Sequence, residues 1–168
     1  MLVPFAHDAR RGPMTLWTLT LSDFRRELGS RAPTPGGGSA SCVCGSFGLG
    51  LVLMALEISR PAQGAPSAEL VQLLERGAAL DAELQRHADR DVEIFAAYMR
   101  ALKLPRSNSA EQAARALAVS VAAQAAAEAP LAAGRDLLAA LQLAARASAS
   151  VKPSLQSDVL GGADLLLG

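Results

Sequence analysis

Two carboxylates, Asp81 and Asp91, interrupt the apolar stripe of a long helix pattern formed by Leu70, Leu73, Leu74, Leu84, Ala88, Phe95, Tyr98, Met99 and Leu102. Asp81 fills the place between Leu74 and Ala88. Asp91 sits between Ala88 and Phe95 at spacings of three and four, so both acids share the core-facing side. Burial of an unpartnered carboxylate disfavours its charged form and is costly, so each must be paired, line a cavity or face a groove between subunits. A carboxyl group fixed in such a place is suited to giving and taking a proton. The plainer alternative for Asp91 is a structural pair with an arginine.

The second chemical feature is the loop Ala32-Pro33-Thr34-Pro35-Gly36-Gly37-Gly38-Ser39-Ala40. Pro33 and Pro35 hold the chain extended, because proline fixes its own φ and moves the preceding residue out of the α region. Gly36, Gly37 and Gly38 permit close backbone approach, and Ser39 reads as the N-cap of the helix that follows. Free amides at a helix start favour an anion such as a carboxylate or phosphate. No Lys-Ser/Thr pair follows the glycines, which excludes a nucleotide P-loop, and no strand pattern precedes them, which argues against a dinucleotide-binding turn. The alternative is a stiff turn that lets two helices pack closely.

Helices must position these groups. Alanine and leucine dominate the 168 residues and aromatics make up only 4%, a composition that favours close-packed helices over strands. One domain is expected over residues 16–168, all-α, with five to six helices and a long central pair. Residues 1–15 read as a disordered tail without the apolar core of a signal peptide, and Met14 is an alternative start. Leu19, Leu21, Phe24 and Leu28 form one face of a short first helix, with Ser22 as cap and Gly29-Ser30 as stop. Small residues recur along the second, at Ala40, Cys44 and Gly48, at Ser41 and Gly45, and at Ser46 and Gly50, which makes it the central helix approached by other backbones. Ser67 caps the third, which runs to Leu102 and ends at Lys103-Leu104-Pro105. Ser109-Ala110-Glu111-Gln112 is a capping box for the fourth. Pro130 either kinks that helix or starts a fifth, Leu131 to about Ala149. Ser157 caps a last helix with Asp158 in its first turn, and Gly161-Gly162 within it suggest close backbone contact.

Sixteen basic and sixteen acidic residues cancel, so net charge gives no reason to expect nucleic acid or an anionic membrane as partner. Cys42 and Cys44 sit two apart on a helix, point to different sides and read as small buried hydrophobes. His7 in the tail and His87 alone on a helix leave no cluster for zinc or iron, so no metal is expected. The uncharged run Ala40–Leu56 is just short of a bilayer span, carries serines and glycines, and has neither a second span nor a flanking basic cluster; a buried helix is expected rather than a membrane one. The cytoplasm is the default compartment.

In this order along the chain, Pro33-Thr34-Pro35-Gly36-Gly37-Gly38-Ser39, Asp91 to Phe95 with Tyr98 to Ala101, Lys103-Leu104-Pro105, Glu128-Ala129-Pro130-Leu131 and Ser157-Asp158 resemble the cyclodeaminase/cyclohydrolase family. This is the C-terminal domain type of formiminotransferase-cyclodeaminase, and it includes free-standing bacterial methenyltetrahydrofolate cyclohydrolases. The likeness runs from about Leu19 to Leu166. It implies an all-helical homodimer formed through long helices, with a tetrahydrofolate derivative as substrate and no metal. Two activities follow: release of ammonia from 5-formiminotetrahydrofolate to give 5,10-methenyltetrahydrofolate, or hydrolysis of the latter to 10-formyltetrahydrofolate. On the resemblance, Asp91 is the leading acid/base, with Asp158 second. Lys103 meets a folate carboxylate or steadies a tetrahedral intermediate, and Pro35, Gly36, Gly37, Gly38 and Ser39 position the ligand. Asp158 has the alternative role of complementing a helix dipole and Lys103 that of capping a helix C-terminus. The family pattern continues past the position of Gly168 with a further helix, and Ile58-Ser59-Arg60-Pro61 departs from its usual polar turn. The competing expectation is a non-catalytic helical dimer of the same fold that serves as an interaction or scaffold subunit.

Overall fold

The computed structural model describes residues 15–167; the expected tail lies outside them except for Thr15, the first described residue. The described residues form five α-helices and no strand: α1 Leu21–Leu28, α2 Gly37–Ile58, α3 Ala68–Leu102, α4 Ser109–Ala147 and α5 Gln156–Leu167. Short 3₁₀ turns at Leu16–Thr18 and Pro153–Leu155 precede α1 and α5.

The starts of these helices show which local signals won. Ser67 accepts a hydrogen bond from the Leu70 amide and opens α3 as expected. Elsewhere the cap moves by a residue or two. Thr20, not Ser22, caps α1 by accepting from the Asp23 amide. Asn108, not Ser109, caps α4, while Glu111 accepts from the Ser107 amide at 2.7 Å. Ser157 is not a cap, because the turn at Pro153–Leu155 runs straight into α5, whose first turn does contain Asp158. Of the expected α1 face only Phe24 packs inward; Leu21 and Leu28 are exposed.

Pro130 lies inside one continuous 39-residue α4, so no separate fifth helix begins there. Proline removes one backbone hydrogen bond, but Pro130 and Ala126, whose carbonyl is freed, both lie at the surface where water replaces the donor. The surrounding alanines supply the helix propensity that carries the chain through.

Successive long helices pair antiparallel, which leaves α2 and α4 parallel where Leu137 of α4 meets Gly45 of α2. Ser39 meets Ala88 and Asp91, Ser46 meets Asp81, and Leu53 lies against Gly77, so α3 runs back along α2. His87 meets Asp136, Leu143 approaches Gly77 and Arg146 pairs with Glu69, so α4 returns along α3. On the other side of α2, Gly48 faces Gly162 and Gly45 faces Leu166, so α5 also runs antiparallel. The helix α2 is thus central, as its stripe of small residues predicts. A Cβ on Gly48 would sit 2.5 Å from the Gly162 carbonyl oxygen, and a Cβ on Gly162 equally close to that of Gly48. Gly161, by contrast, has open space.

The core joins Leu49, Val52 and Leu56 of α2, Leu73, Leu80 and Leu84 of α3, Leu143 of α4, and Val159 and Leu166 of α5. Each such leucine, withdrawn from water, contributes about 2 kcal/mol. The core stops near Ala88. Beyond it α3 buries only Ala101, and α4 buries nothing before Ala140, so the two helices continue as a long antiparallel arm past the start of α2. Among the described residues two helices, Gly37–Ile58 and Ser109–Ala147, are long and apolar enough to cross a membrane. The sequence suggests only the first, because reading a break at Pro130 halves the second. In the fold α2 is largely enclosed, whereas the most apolar stretch of α4 has none of its residues buried.

Candidate active site

The site begins where α2 begins. Gly36 is the N-cap and has no side chain to satisfy the amides of the first turn, so Ser39 is the third helical residue and not the cap expected from sequence. A carboxylate from another helix takes the capping role. Asp91 Oδ2 accepts a hydrogen bond from the Ser39 amide at 3.0 Å and lies 2.9 Å from Ser39 Oγ. The partner of Asp91 is therefore a helix start and not an arginine, an arrangement favoured by the positive end of the helix dipole. The Thr34–Pro35 peptide is cis.

Ser39 is fully buried, and its Oγ also lies 3.0 Å from the Ala88 carbonyl oxygen. The hydroxyl has one proton and faces two acceptors. With Asp91 ionised, Ser39 donates both N–H and O–H to Oδ2. With Asp91 protonated, the carboxyl donates to Ser39 Oγ while Ser39 donates to the Ala88 carbonyl. In either arrangement Oδ2 and the Ser39 hydroxyl keep hydrogen-bond partners.

Oδ1, the other carboxylate oxygen, lies over Gly38. A Cβ there would collide with Oδ1 and come within 2.8 Å of Asp91 Cγ, so residue 38 must be glycine for the carboxylate to keep this pose. Gly37 and Gly38 are exposed, and among the described residues their amides have no acceptor. The result is a carboxyl group beside two free helix-start amides, open to an incoming molecule. One turn inward, the Cys42 thiol is pushed up to about 11 by burial and by the charge of Asp91, so Cys42 stays protonated and is no nucleophile. Cys44 is exposed, contrary to its expected burial, because two residues of a helix turn it by about 200° from Cys42.

The other expected site residues lie apart. Lys103 is the exposed C-cap residue of α3, about 18 Å along that helix from Asp91. Asp158 sits in the first turn of α5 at the level of Val52, about 20 Å along α2 from Ser39 in the opposite direction. Within one chain, neither meets Asp91. Pro35, Gly36, Gly37, Gly38 and Ser39 do gather at the site.

Three features escaped the sequence reading. Asp81 accepts from Ser46 and from Gln85, a second serine–aspartate contact across α2 and α3. The seven-residue spacing of Ser39 and Ser46 holds the signal, since it places both on one face of α2. Asp89 ties down the segment before α1 by accepting from Thr15 Oγ1 at 2.6 Å and the Leu16 amide at 2.7 Å, and Trp17 Nε1 donates to the Gln85 carbonyl. This strap covers Cys42, Val43 and Ala88 beside the site. Finally, His87 does not stand alone: Glu83 and Asp136 converge on it. The reading of His87 as solitary is thereby corrected.

The described residues thus form an all-helical domain with a glycine-flanked helix start whose first turn is capped by a carboxylate from the neighbouring helix. The chain belongs to the formiminotransferase-cyclodeaminase family, whose pattern it matches over residues 20–168. It is 38% identical over 127 residues to methenyltetrahydrofolate cyclohydrolase of Methylorubrum extorquens, covering 74% of this chain and 61% of that protein. It is 30% identical over 135 residues to formimidoyltransferase-cyclodeaminase of Gallus gallus, covering 77% of this chain and 24% of that protein. The chain thus spans less than two thirds of either relative's length. Its fold superposes on the crystal structure of formiminotetrahydrofolate cyclodeaminase from Thermotoga maritima with a TM-score of 0.75 at 26% identity, covering 90% of this chain and 72% of that one.

Proposed function

We propose that this chain catalyses folate one-carbon chemistry, as a cyclodeaminase acting on 5-formiminotetrahydrofolate or a cyclohydrolase acting on 5,10-methenyltetrahydrofolate. The observation that carries the reading is Asp91: a carboxyl group that is hydrogen-bonded in both protonation states and open to a ligand across Gly38. Each reaction needs one such group. In the deaminase, N10 attacks the formimino carbon and gives up its proton, the carbon's bond to the imino-derived nitrogen breaks, and Asp91 carries a proton to that nitrogen so that it leaves as ammonia. In the hydrolase, water adds to the methenyl carbon, Asp91 takes its proton, and the bond to N5 opens as N5 recovers one. The Gly37 and Gly38 amides orient an electronegative atom of the ligand. Lys103 lies within the span of an extended folate, whose glutamate carboxylates are remote from the reacting carbon. Asp158 takes part only if a second copy of the chain brings it to Asp91.

A homodimer is part of the proposal. Phe47 and Met54 on α2 and Leu117, Val121, Leu131 and Leu138 on α4 are large, apolar and 40–68% exposed. A second copy covers such a surface with the same surface, as a two-fold interface requires. We place the protein in the cytoplasm, away from membranes and nucleic acid, in keeping with the use of its apolar faces for self-association.

The test is the absorbance of the methenyl chromophore with purified protein. Appearance of the chromophore from 5-formiminotetrahydrofolate assigns the deaminase; its accelerated loss from 5,10-methenyltetrahydrofolate assigns the hydrolase. Neither change, together with no folate binding by calorimetry, removes the enzyme reading and leaves a helical scaffold.

A further inference from the structure

We propose that Glu83, His87 and Asp136 form a binding site for a divalent transition-metal ion, typified by zinc, that clips α3 to α4. One donor atom from each residue lies within 4.8 Å of the other two. His87 Nε2 and Asp136 Oδ2 are 3.0 Å apart across the helix pair. A tetrahedral ion with bonds of roughly 2.0–2.1 Å holds its ligand atoms about 3.3 Å apart, so this pair is already spaced for a shared ion.

Glu83 lies four residues before His87 on α3, so both are presented from adjacent turns of one rigid helix, and only side-chain rotation is needed to bring the third donor in. Arg86 holds Glu83 from the solvent side, and with side-chain exposures of 64% and 46% this ion pair is a weak competitor. The donor set, one imidazole and two carboxylates without thiolate, suits zinc, cobalt or nickel. Asp136 is 29% exposed, which leaves water access to the remaining coordination position. His87 precedes Asp91 by one helical turn but bonds to α4, whereas Asp91 bonds to the start of α2. The metal site is therefore distinct from the proton-transfer group and stands whether or not the folate reading does.

Calorimetric titration of chelator-treated protein with zinc chloride tests the site, with cobalt chloride as a spectroscopic probe. The expected result is one ion per chain, with cobalt giving the visible bands of a four- or five-coordinate site. His87→Gln and Asp136→Asn each weaken binding by roughly 100-fold or more, since loss of even an outer-shell partner costs roughly 10- to 100-fold. Glu83→Gln changes an exposed side chain, leaves the fold intact by circular dichroism, and weakens binding by about 10-fold or more. Absence of micromolar binding by the parent chain overturns the proposal, as does affinity unchanged in both Glu83→Gln and His87→Gln.

Discussion

The two ends of the α3–α4 hairpin are built on opposite principles. At the closed end, glycines admit close neighbours: the backbones of α2 and α5 meet at Gly48 and Gly162, and the Leu53 side chain fills the space over Gly77, with leucines around them. At the open end, from Val92 out through the turn and back to Ala139, the same two helices bury almost nothing: Phe95, Tyr98 and Met99 of α3 are half-buried, and α4 shows Leu117, Val121, Leu131 and Leu138 to the outside. One end is folded against its own chain, and the other has the surface of a helix pair lacking a cover. Asp91 stands at the boundary, where the start of α2 closes one side of it and leaves the other free. Such a boundary combines a rigid backing with ligand access, the two conditions an acid/base group needs.

The largest effect expected from breaking this boundary is on turnover. Asp91→Asn keeps an acceptor for the Ser39 amide but cannot exchange a proton, so kcat should fall about 10²- to 10⁴-fold while the denaturation midpoint stays near that of the parent. Steady-state kinetics on the methenyl chromophore, read beside urea unfolding, separates the two. An undiminished kcat removes Asp91 as acid/base; a large loss of stability makes its role that of a cap.

Next in size is a test of the closed end. In Gly48→Ala the new methyl meets a backbone carbonyl that cannot rotate away, so the chain should lose about 2 to 3 kcal/mol of stability. Chemical denaturation measures this through the shift in midpoint at constant slope. A neutral result means that α5 can slide along α2 and that the glycine contact is not what fixes their register.

The same contrast explains what was legible in the sequence. The closed end announces itself through periodicity: small residues on α2, leucines on α3, and the core-facing position of Asp91 between Ala88 and Phe95. Ser67 and the Lys103-Leu104-Pro105 break delimit α3 from local chemistry alone. What stayed hidden depends on residues distant in sequence. Ser39 has every local qualification for a cap, yet Asp91, from the next helix, satisfies its amide and lets the helix start at Gly37. His87 looked solitary because Asp136, its partner, lies 49 positions away on a helix that Pro130 was expected to interrupt. The separation of Lys103 and Asp158 from Asp91 is likewise a matter of antiparallel register, which motif order does not encode. The exposed face of α4 was missed because its alanines carry almost no pattern of their own.

Sharpening the comparison at the open end requires a substitution that leaves the single chain alone. Val121 is 61% exposed, so Val121→Glu should change the stability of an isolated chain by less than about 0.5 kcal/mol. In the proposed dimer it buries a charge, and association should weaken by roughly 10-fold or more, about 1.4 kcal/mol. Sedimentation across a concentration series measures the shift. A parent chain that is monomeric at every concentration sinks the dimer, and an unchanged association constant moves the interface away from this part of α4.

The smallest effect is opposite in sign to that at Gly48, which makes it the sharper comparison. Gly134 lies inside α4 at the surface, and a Cβ built there meets nothing within 4 Å. With no steric conflict, alanine only removes backbone freedom from the unfolded chain and improves helix propensity, so Gly134→Ala should gain about 0.5 to 1 kcal/mol. Thermal unfolding at low protein concentration, where single chains dominate, measures that gain; repeating it at high concentration asks whether a partner backbone approaches Gly134. A gain that persists in the dimer marks this glycine as free of contact in both states. A gain that turns into a loss as the chains associate identifies Gly134 as the dimer's counterpart of Gly48, so that both ends of the hairpin close by the same means, one within the chain and one between chains.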